Sequence, residues 1–87
     1  MHPFRIKNFK TYSELFPKLS KREIQILSMS RSGLTNSEIA LCLNISVRTV
    51  DNHFNSAMQK HELKTYSALR AFFNFAIEDY LIETKQK

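Results

Sequence analysis

The chain has 87 residues, enough for one small domain but not for two. Its net charge of +5 and pI of about 9.6 favour a polyanionic partner, although ordinary solubility charge is the alternative. A single cysteine, Cys42, excludes an intramolecular disulfide and a cysteine-based zinc site, and no apolar run approaches the ~20 residues that span a bilayer.

Residues 1–18 are basic and aromatic, and we predict that they form an arm or linker. The segment lacks the apolar centre of a signal peptide, so we expect a cytoplasmic protein without a membrane partner. A short helix from Thr11 or Ser13 to Phe16 is possible, but Pro17 disfavours helical backbone at Phe16, the residue before it. The aromatic side chains that can dock on the body are Phe9, Tyr12 and Phe16.

Two capping boxes predict the next two helices, because each places Glu three residues after Ser or Thr. The pairs are Ser20 with Glu23 and Thr35 with Glu38. Gly33 is predicted to end the first of these helices, and Asn44 the second, since both residue types tolerate positive φ. The backbone amides and hydroxyls at the start of the second helix can also hold a phosphate, although capping alone is the alternative. The residues that offer them are Thr35, Asn36 and Ser37.

A third helix is predicted over about 46–61, with Ser46 as its N-cap. Only about three residues separate it from the second helix, which is the length of a helix-turn-helix joint. Its inward side is expected to anchor it to the core through Val47, Val50, Phe54, Ala57, Met58 and His61. Its outward side carries Arg48, Asn52, Asn55 and Gln59. Because these side chains pair well with guanine and adenine edges, they favour DNA reading over a plain solvated face.

The last helix, predicted over about 66–82, has an apolar arc of roughly 240° at ~100° per residue. One stripe can pack on the body, and the second needs another partner. This second stripe consists of Ala71, Phe75 and Ile82. Either the N-terminal arm covers it, or it forms the seam of a homodimer, which we favour.

Three stretches, "LSKREIQIL", "SGLTNSEIALCLNISVRTVDNHFNSAMQK" and "TYSALRAF", together resemble the LuxR-type helix-turn-helix domain of LuxR, NarL and GerE proteins. The resemblance runs from about residue 19 to residue 69. It implies an all-α, four-helix domain with a short N-terminal arm. We therefore predict an arm over 1–18, the DNA-binding domain over 19–83 and a polar tail over 84–87. In this family the third helix enters the major groove and the fourth forms the dimer.

The resemblance also implies roles for individual residues. Base-facing positions correspond to Asp51, Asn52 and Asn55. Phosphate-facing positions correspond to Thr35, Asn36, Ser46, Thr49, Lys60 and Lys64.

Three residues depart from the family pattern. Asp51 stands where Lys or Arg is usual, His61 replaces a Leu, and Glu62 replaces the Gly that commonly ends the third helix. Without that Gly we expect the helix to run on or to end differently. Asp51 could orient Arg48, accept from a cytosine amine, or repel phosphate, and we favour the first two roles.

Catalysis has little support in the sequence. A single Gly excludes the usual Gly-rich phosphate loops, and no pair of carboxylates joins His53 and His61 as metal ligands. We therefore predict no enzyme activity and no cofactor, but a stand-alone, sequence-specific regulator that binds double-stranded DNA as a homodimer in the bacterial nucleoid. The alternative is a protein-interaction regulator that forms a heterodimer with, or antagonises, a full-length LuxR-type protein.

Overall fold

A computed structural model describes residues 2–85, which form five α-helices and no strand. The helices are α1 (Phe9–Leu15), α2 (Lys21–Arg31), α3 (Asn36–Leu43), α4 (Val47–Lys60) and α5 (Tyr66–Lys85). The all-α prediction is confirmed. The described residues form five helices and not four, because the predicted arm contains α1 in addition to the four helices α2 to α5. It forms where apolar residues recur every three positions and pack on the core. These residues are Phe9, Tyr12 and Leu15.

Both predicted capping boxes are present. The Ser20 hydroxyl accepts from the Glu23 amide at 3.1 Å, and the Glu23 carboxylate accepts from the Ser20 amide at 2.7 Å. The Thr35 hydroxyl accepts from the Glu38 amide at 3.2 Å, and the return bond to the Glu38 carboxylate is 2.9 Å. Ser46 caps α4 by accepting from the Thr49 amide at 3.0 Å. These bonds satisfy amides that have no partner inside a helix.

The three helices α2, α3 and α4 end with the same two backbone hydrogen bonds, those of a Schellman motif. In each case one residue adopts positive φ, and an apolar residue follows it. The positive-φ residues are Gly33 (φ 106°), Asn44 (φ 56°) and Glu62 (φ 55°). At the last of these ends, the Leu63 amide donates to the Met58 carbonyl at 2.9 Å. Helix α4, the third helix of the predicted domain, therefore ends in the usual way, although Glu62 stands where the family commonly has Gly.

Glu62→Gly should stabilise the protein. A residue with a Cβ in the left-handed region is strained by about 1–2 kcal/mol, and glycine removes this strain. Glycine also raises the conformational entropy of the unfolded chain, which offsets part of the gain in stability. We expect a net gain of about 0.5–1 kcal/mol, or a rise in Tm of several degrees. Thermal unfolding followed by circular dichroism measures it. Glu62→Ala is the matched control, because it removes the carboxylate but keeps the Cβ; an equal gain in Glu62→Ala would contradict a conformational cause.

The core lies between α2, α3, α4 and α5. Its buried apolar residues are Phe16, Leu19, Ile24, Ile26, Leu27, Met29, Ile39, Ala40, Val50, Phe54, Ala57, Leu69, Phe73 and Ile77. Most of the predicted inward side of α4 lies here or is half-buried. Val47 is an exception, because it is 42% exposed at the first position of α4, where the helix has only begun to meet its neighbours.

Phe16, from the predicted arm, is completely buried. Its ring stacks on Phe73 with centroids 4.7 Å apart, and it meets the edge of Phe72 at 5.7 Å. Offset-stacked and edge-to-face ring pairs add stabilisation beyond the buried area. The loop between α1 and α2 therefore contributes a central core residue.

Helix α1 lies beside the C-terminal half of α5, where a cavity of about 210 Å³ separates Tyr12 and Leu15 from Ile77 and Leu81. It does not cover the predicted seam. Phe75 is 74% exposed and Ile82 is 57% exposed, and Ala71 is also exposed. The structure extends α5 through residues 84 and 85 of the predicted tail; residues 86 and 87 lie outside the described residues. No helix within residues 2–85 is long and apolar enough to cross a membrane.

Candidate nucleic-acid interface

The outward face of α4 presents four hydrogen-bonding side chains, all of them exposed. They are Arg48, Asn52, Asn55 and Gln59. The opposite face of the same helix is held in the core by Val50, Phe54 and Ala57. A helix anchored in this way on one side, with amides and a guanidinium on the other, has the form of a helix that reads base edges in a major groove.

Asp51, the fifth predicted base-reading residue, lies apart from this exposed stripe. It is half-buried, and its Oδ1 accepts a hydrogen bond from the Asn36 side-chain amide at 3.0 Å. Burial raises the pKa of Tyr66 at the start of α5, and the nearby Asp51 carboxylate raises it further. The Asp51 carboxylate therefore lies where α3, α4 and α5 meet.

The bond to Asn36 is a role for Asp51 that the sequence did not suggest. Within residues 2–85 no ion pair joins Asp51 to Arg48. Instead the acid ties the second turn of α4 to the first residue of α3, so it joins a predicted base-reading position to a predicted phosphate-binding position. The second N–H of the Asn36 amide is left for another acceptor.

The predicted phosphate-binding residues cluster at the starts of α3 and α4. Thr35, Ser37 and Ser46 are exposed, while Asn36 and Thr49 are half-buried. The Ser46 and Thr49 hydroxyls lie 2.9 Å apart and share a hydrogen bond. The Thr35 hydroxyl accepts a backbone amide, so its own proton can be donated to an anion, and one proton of the Ser46–Thr49 pair is left for the same purpose.

Lys60 and Lys64 follow at the other end of α4. Lys64 is exposed. Lys60 donates from Nζ to Glu23 Oε1 at 2.7 Å, and only 3% of the Glu23 side chain is exposed. Burial by itself would raise the pKa of Glu23, but hydrogen bonds from Lys60, the Ser20 amide and Ser56 outweigh it and hold that pKa below its ordinary value. The lysine predicted to bind phosphate is thus also an ion-pair partner inside the protein.

Sequence reasoning identified Glu23 only as a capping residue and missed its bond to Lys60, which lies 37 residues away. No local signal could have revealed it, since only the packing of α2 against α4 brings these atoms together. His53, on α4, is half-buried, and Cys42, on α3, is exposed. No group of three potential metal-ligating side chains occurs among the residues that the structure describes.

Known bacterial proteins are similar to this chain over the segment that contains α2, α3 and α4. The GerE model of bacterial regulatory proteins, luxR family, matches residues 17–71. The response regulator protein VraR of Staphylococcus aureus is 34% identical over 65 residues, which is 72% of this chain and 31% of the relative. The same values hold for response regulator protein VraR of Staphylococcus saprophyticus and of Staphylococcus epidermidis.

This chain thus spans about a third of the length of these curated relatives. No solved structure matches it significantly. The family match covers more than half of the chain and includes α2, α3 and α4 entirely. The chain therefore belongs to the luxR family of bacterial regulatory proteins and carries the helix-turn-helix domain of that family.

Proposed function

We propose that this protein is a sequence-specific, DNA-binding transcription regulator that inserts α4 into the major groove. The observation that carries the proposal is the exposed stripe of Arg48, Asn52, Asn55 and Gln59 on a helix whose other face is locked in the core. In this arrangement Arg48 pairs with guanine, and the amides pair with adenine.

Phosphate contacts from the starts of α3 and α4 set the register of the helix in the groove. Ser46 and Thr49 lie at the α4 end, while Thr35, Asn36 and Ser37 lie at the α3 end. Lys64 lies beyond the C-terminal end of α4. The Lys60 ammonium has three N–H donors, so it can bind a phosphate as well as Glu23. Such contacts position the protein without reading sequence.

Asp51 acts within this function as a positioning residue. Its bond to Asn36 Nδ2 holds that amide at the start of α3, with one N–H free for a phosphate oxygen. This supports DNA binding despite the acid on the reading helix.

The test is the pair of variants Asn52→Ala and Asn55→Ala, assayed on a site selected from random DNA. Each bidentate amide–adenine contact contributes about 1–3 kcal/mol of discrimination, so affinity for the selected site should fall several-fold to a hundred-fold. Binding to random DNA should change little. Electrophoretic mobility shifts on both DNAs measure this, with Glu14→Ala on the exposed side of α1 as the control. Unchanged affinity and preference in both Asn variants would contradict readout by α4.

The exposed stripe of Ala71, Phe75 and Ile82 supports a homodimer formed through α5. Phe75 is 74% exposed in the single chain, which is unfavourable for an aromatic ring in water. Phe75→Asp should therefore convert a dimer to a monomer in sedimentation equilibrium, and should weaken binding to paired half-sites more than binding to one half-site. Leu41→Asp is the matched control, because Leu41 is 83% exposed on α3, outside the stripe. A wild-type chain that sediments as a monomer at high concentration would contradict the homodimer.

The alternative function, a regulator that forms a heterodimer with another LuxR-type protein, rests on the same exposed stripe. The mobility-shift assay separates the two functions. A wild-type chain that binds no DNA, but co-purifies with a full-length LuxR-type protein through Phe75, would replace the first proposal with the second.

A further inference from the structure

The positive charge of the chain is concentrated at its N-terminal end. The first 22 residues contain six Lys or Arg and one Glu, which is a net charge of +5. Residues 23–87 contain seven Lys or Arg and seven Asp or Glu, so the net charge of the rest of the chain is zero. The helices α3, α4 and α5 therefore supply no excess of positive charge, although a polyanionic partner requires one.

Part of this charge surrounds a cavity of about 470 Å³ between the N-terminal strap, residues 2–6, and the body. Its basic side chains are those of His2, Arg5, Lys21 and Arg22. No carboxylate lines the cavity, and within the described residues Arg5, Lys21 and Arg22 form no ion pair. No carboxylate among residues 2–85 neutralises these three charges: Lys21 Nζ lies 5.6 Å from the centre of the Phe9 ring, and Arg22 donates to the neutral Gln25 amide.

The strap is held in place by hydrogen bonds to two helices. His2 donates from Nε2 to the Cys42 carbonyl at 2.8 Å and accepts at Nδ1 from the Phe4 amide at 3.1 Å, which requires the neutral imidazole. The Gln25 side chain donates to the Phe4 carbonyl at 3.1 Å. Gln25 also accepts from Arg22 at 3.1 Å, so the same amide positions the strap and one of the cationic groups.

The cavity lies close to the start of α4. Leu43 lines it and precedes Ser46, the N-cap of α4, by three residues. Three Cα-to-Cα steps span at most about 11 Å, so the wall of the cavity that Leu43 forms lies within that distance of the N-cap of α4.

From these observations we infer that the strap, with the first turn of α2, is a second phosphate-binding surface that holds the DNA backbone flanking the groove entered by α4. The inference rests on the proposed function and deepens it. Arg5, Lys21 and Arg22 are its phosphate contacts, and the strap places Arg5 opposite the other two. The location of the whole net charge in this segment favours a polyanion over a small phosphate compound.

The test compares Arg5→Gln/Lys21→Gln with Arg70→Gln/Lys85→Gln, which removes the same charge from exposed positions on α5. Each phosphate contact contributes about 0.9 to the slope of log K against log salt. The first double variant should lower that slope by about 1–2 and weaken binding at low salt about ten-fold, with sequence preference unchanged. The α5 variant should keep the wild-type slope.

Equal slopes for the two double variants, with a wild-type chain that still prefers its selected site, would overturn this inference and leave the proposed function intact. A wild-type chain that binds DNA without sequence preference would contradict reading by α4. A lower salt slope in Arg5→Gln/Lys21→Gln would in that case still support the second phosphate-binding surface. A chain that binds no DNA overturns both.

A parallel titration with inorganic pyrophosphate, followed by amide shifts at residues 5 and 21–25, tests the source of the phosphate. Saturable pyrophosphate binding together with an unchanged DNA salt slope would assign the cavity to a free phosphate compound and overturn the DNA contact.

Discussion

Phe16→Ala should destabilise the protein by about 3–5 kcal/mol, the usual loss for removing a buried phenyl ring. Phe16 is 0% exposed and stacks on Phe73, so the substitution leaves a cavity between the loop after α1 and helix α5. A loss of this size is a large fraction of the stability of a small domain, and much of the variant should be unfolded at 37 °C. Urea denaturation at 25 °C measures the free energy of unfolding.

Leu41→Ala is the matched control for Phe16→Ala, because it removes a large apolar side chain that is 83% exposed. We expect a change below about 0.5 kcal/mol there, as for surface substitutions in general. A loss at Phe16 no larger than the loss at Leu41 would mean that residues 1–18 do not take part in the cooperative core.

Glu23→Ala should destabilise the protein by about 2–3 kcal/mol at pH 7, because hydrogen bonds to charged groups are worth more than neutral ones and this carboxylate makes several. The substitution removes the acceptor of both the Ser20 amide and Lys60. Lys60 is partly exposed and can return to water, which keeps the loss below that of a fully buried ion pair. Glu23→Gln retains an acceptor of the same size, and we expect it to lose less.

The contribution of Glu23 should depend on pH in a defined direction. Its pKa is lower in the folded protein than the ordinary value of 4.5, so the folded state favours the charged form. The stabilisation is therefore fully present above about pH 4.5 and is lost as the pH falls through the lower, folded-state pKa. Urea denaturation of wild type and Glu23→Gln at pH 7 and in steps below pH 4.5 measures this, and the difference should shrink with acid. A constant difference over that range would contradict a charge-dependent role.

Contacts between residues close in sequence could be predicted for this protein, and contacts between distant residues could not. Each capping box joins residues three apart, so the pattern of Ser or Thr followed by Glu was sufficient for α2 and α3. The bond between Asn36 and Asp51 spans 15 residues, and its formation depends on the angle at which α3 crosses α4. The resemblance gave Asp51 a base-facing position, and the helical wheel, which describes each helix alone, gave no sign of its bond to Asn36.

The N-terminal segment illustrates the same limit. Its aromatic residues indicated docking, but their spacing did not reveal that Phe16 reaches the centre of the core or that α1 lies beside α5. The end of α4 illustrates the opposite case. The missing Gly suggested a changed helix end, yet packing of Leu63 and the two backbone hydrogen bonds hold Glu62 at φ 55°. Tertiary contacts there outweigh a local preference of about 1–2 kcal/mol.

The bond between Asn36 and Asp51 also bears on how the DNA preference proposed for this protein could change by substitution. If α4 reads DNA as proposed, position 51 does not act independently of position 36, because any residue introduced at 51 also changes the hydrogen bond that holds the Asn36 amide. A basic residue at 51 would gain a contact with DNA and at the same time release an anchor on α3. We therefore expect a new sequence preference at this position to require paired substitutions at 36 and 51. A single substitution at 51 should change the preference and lower the affinity for DNA.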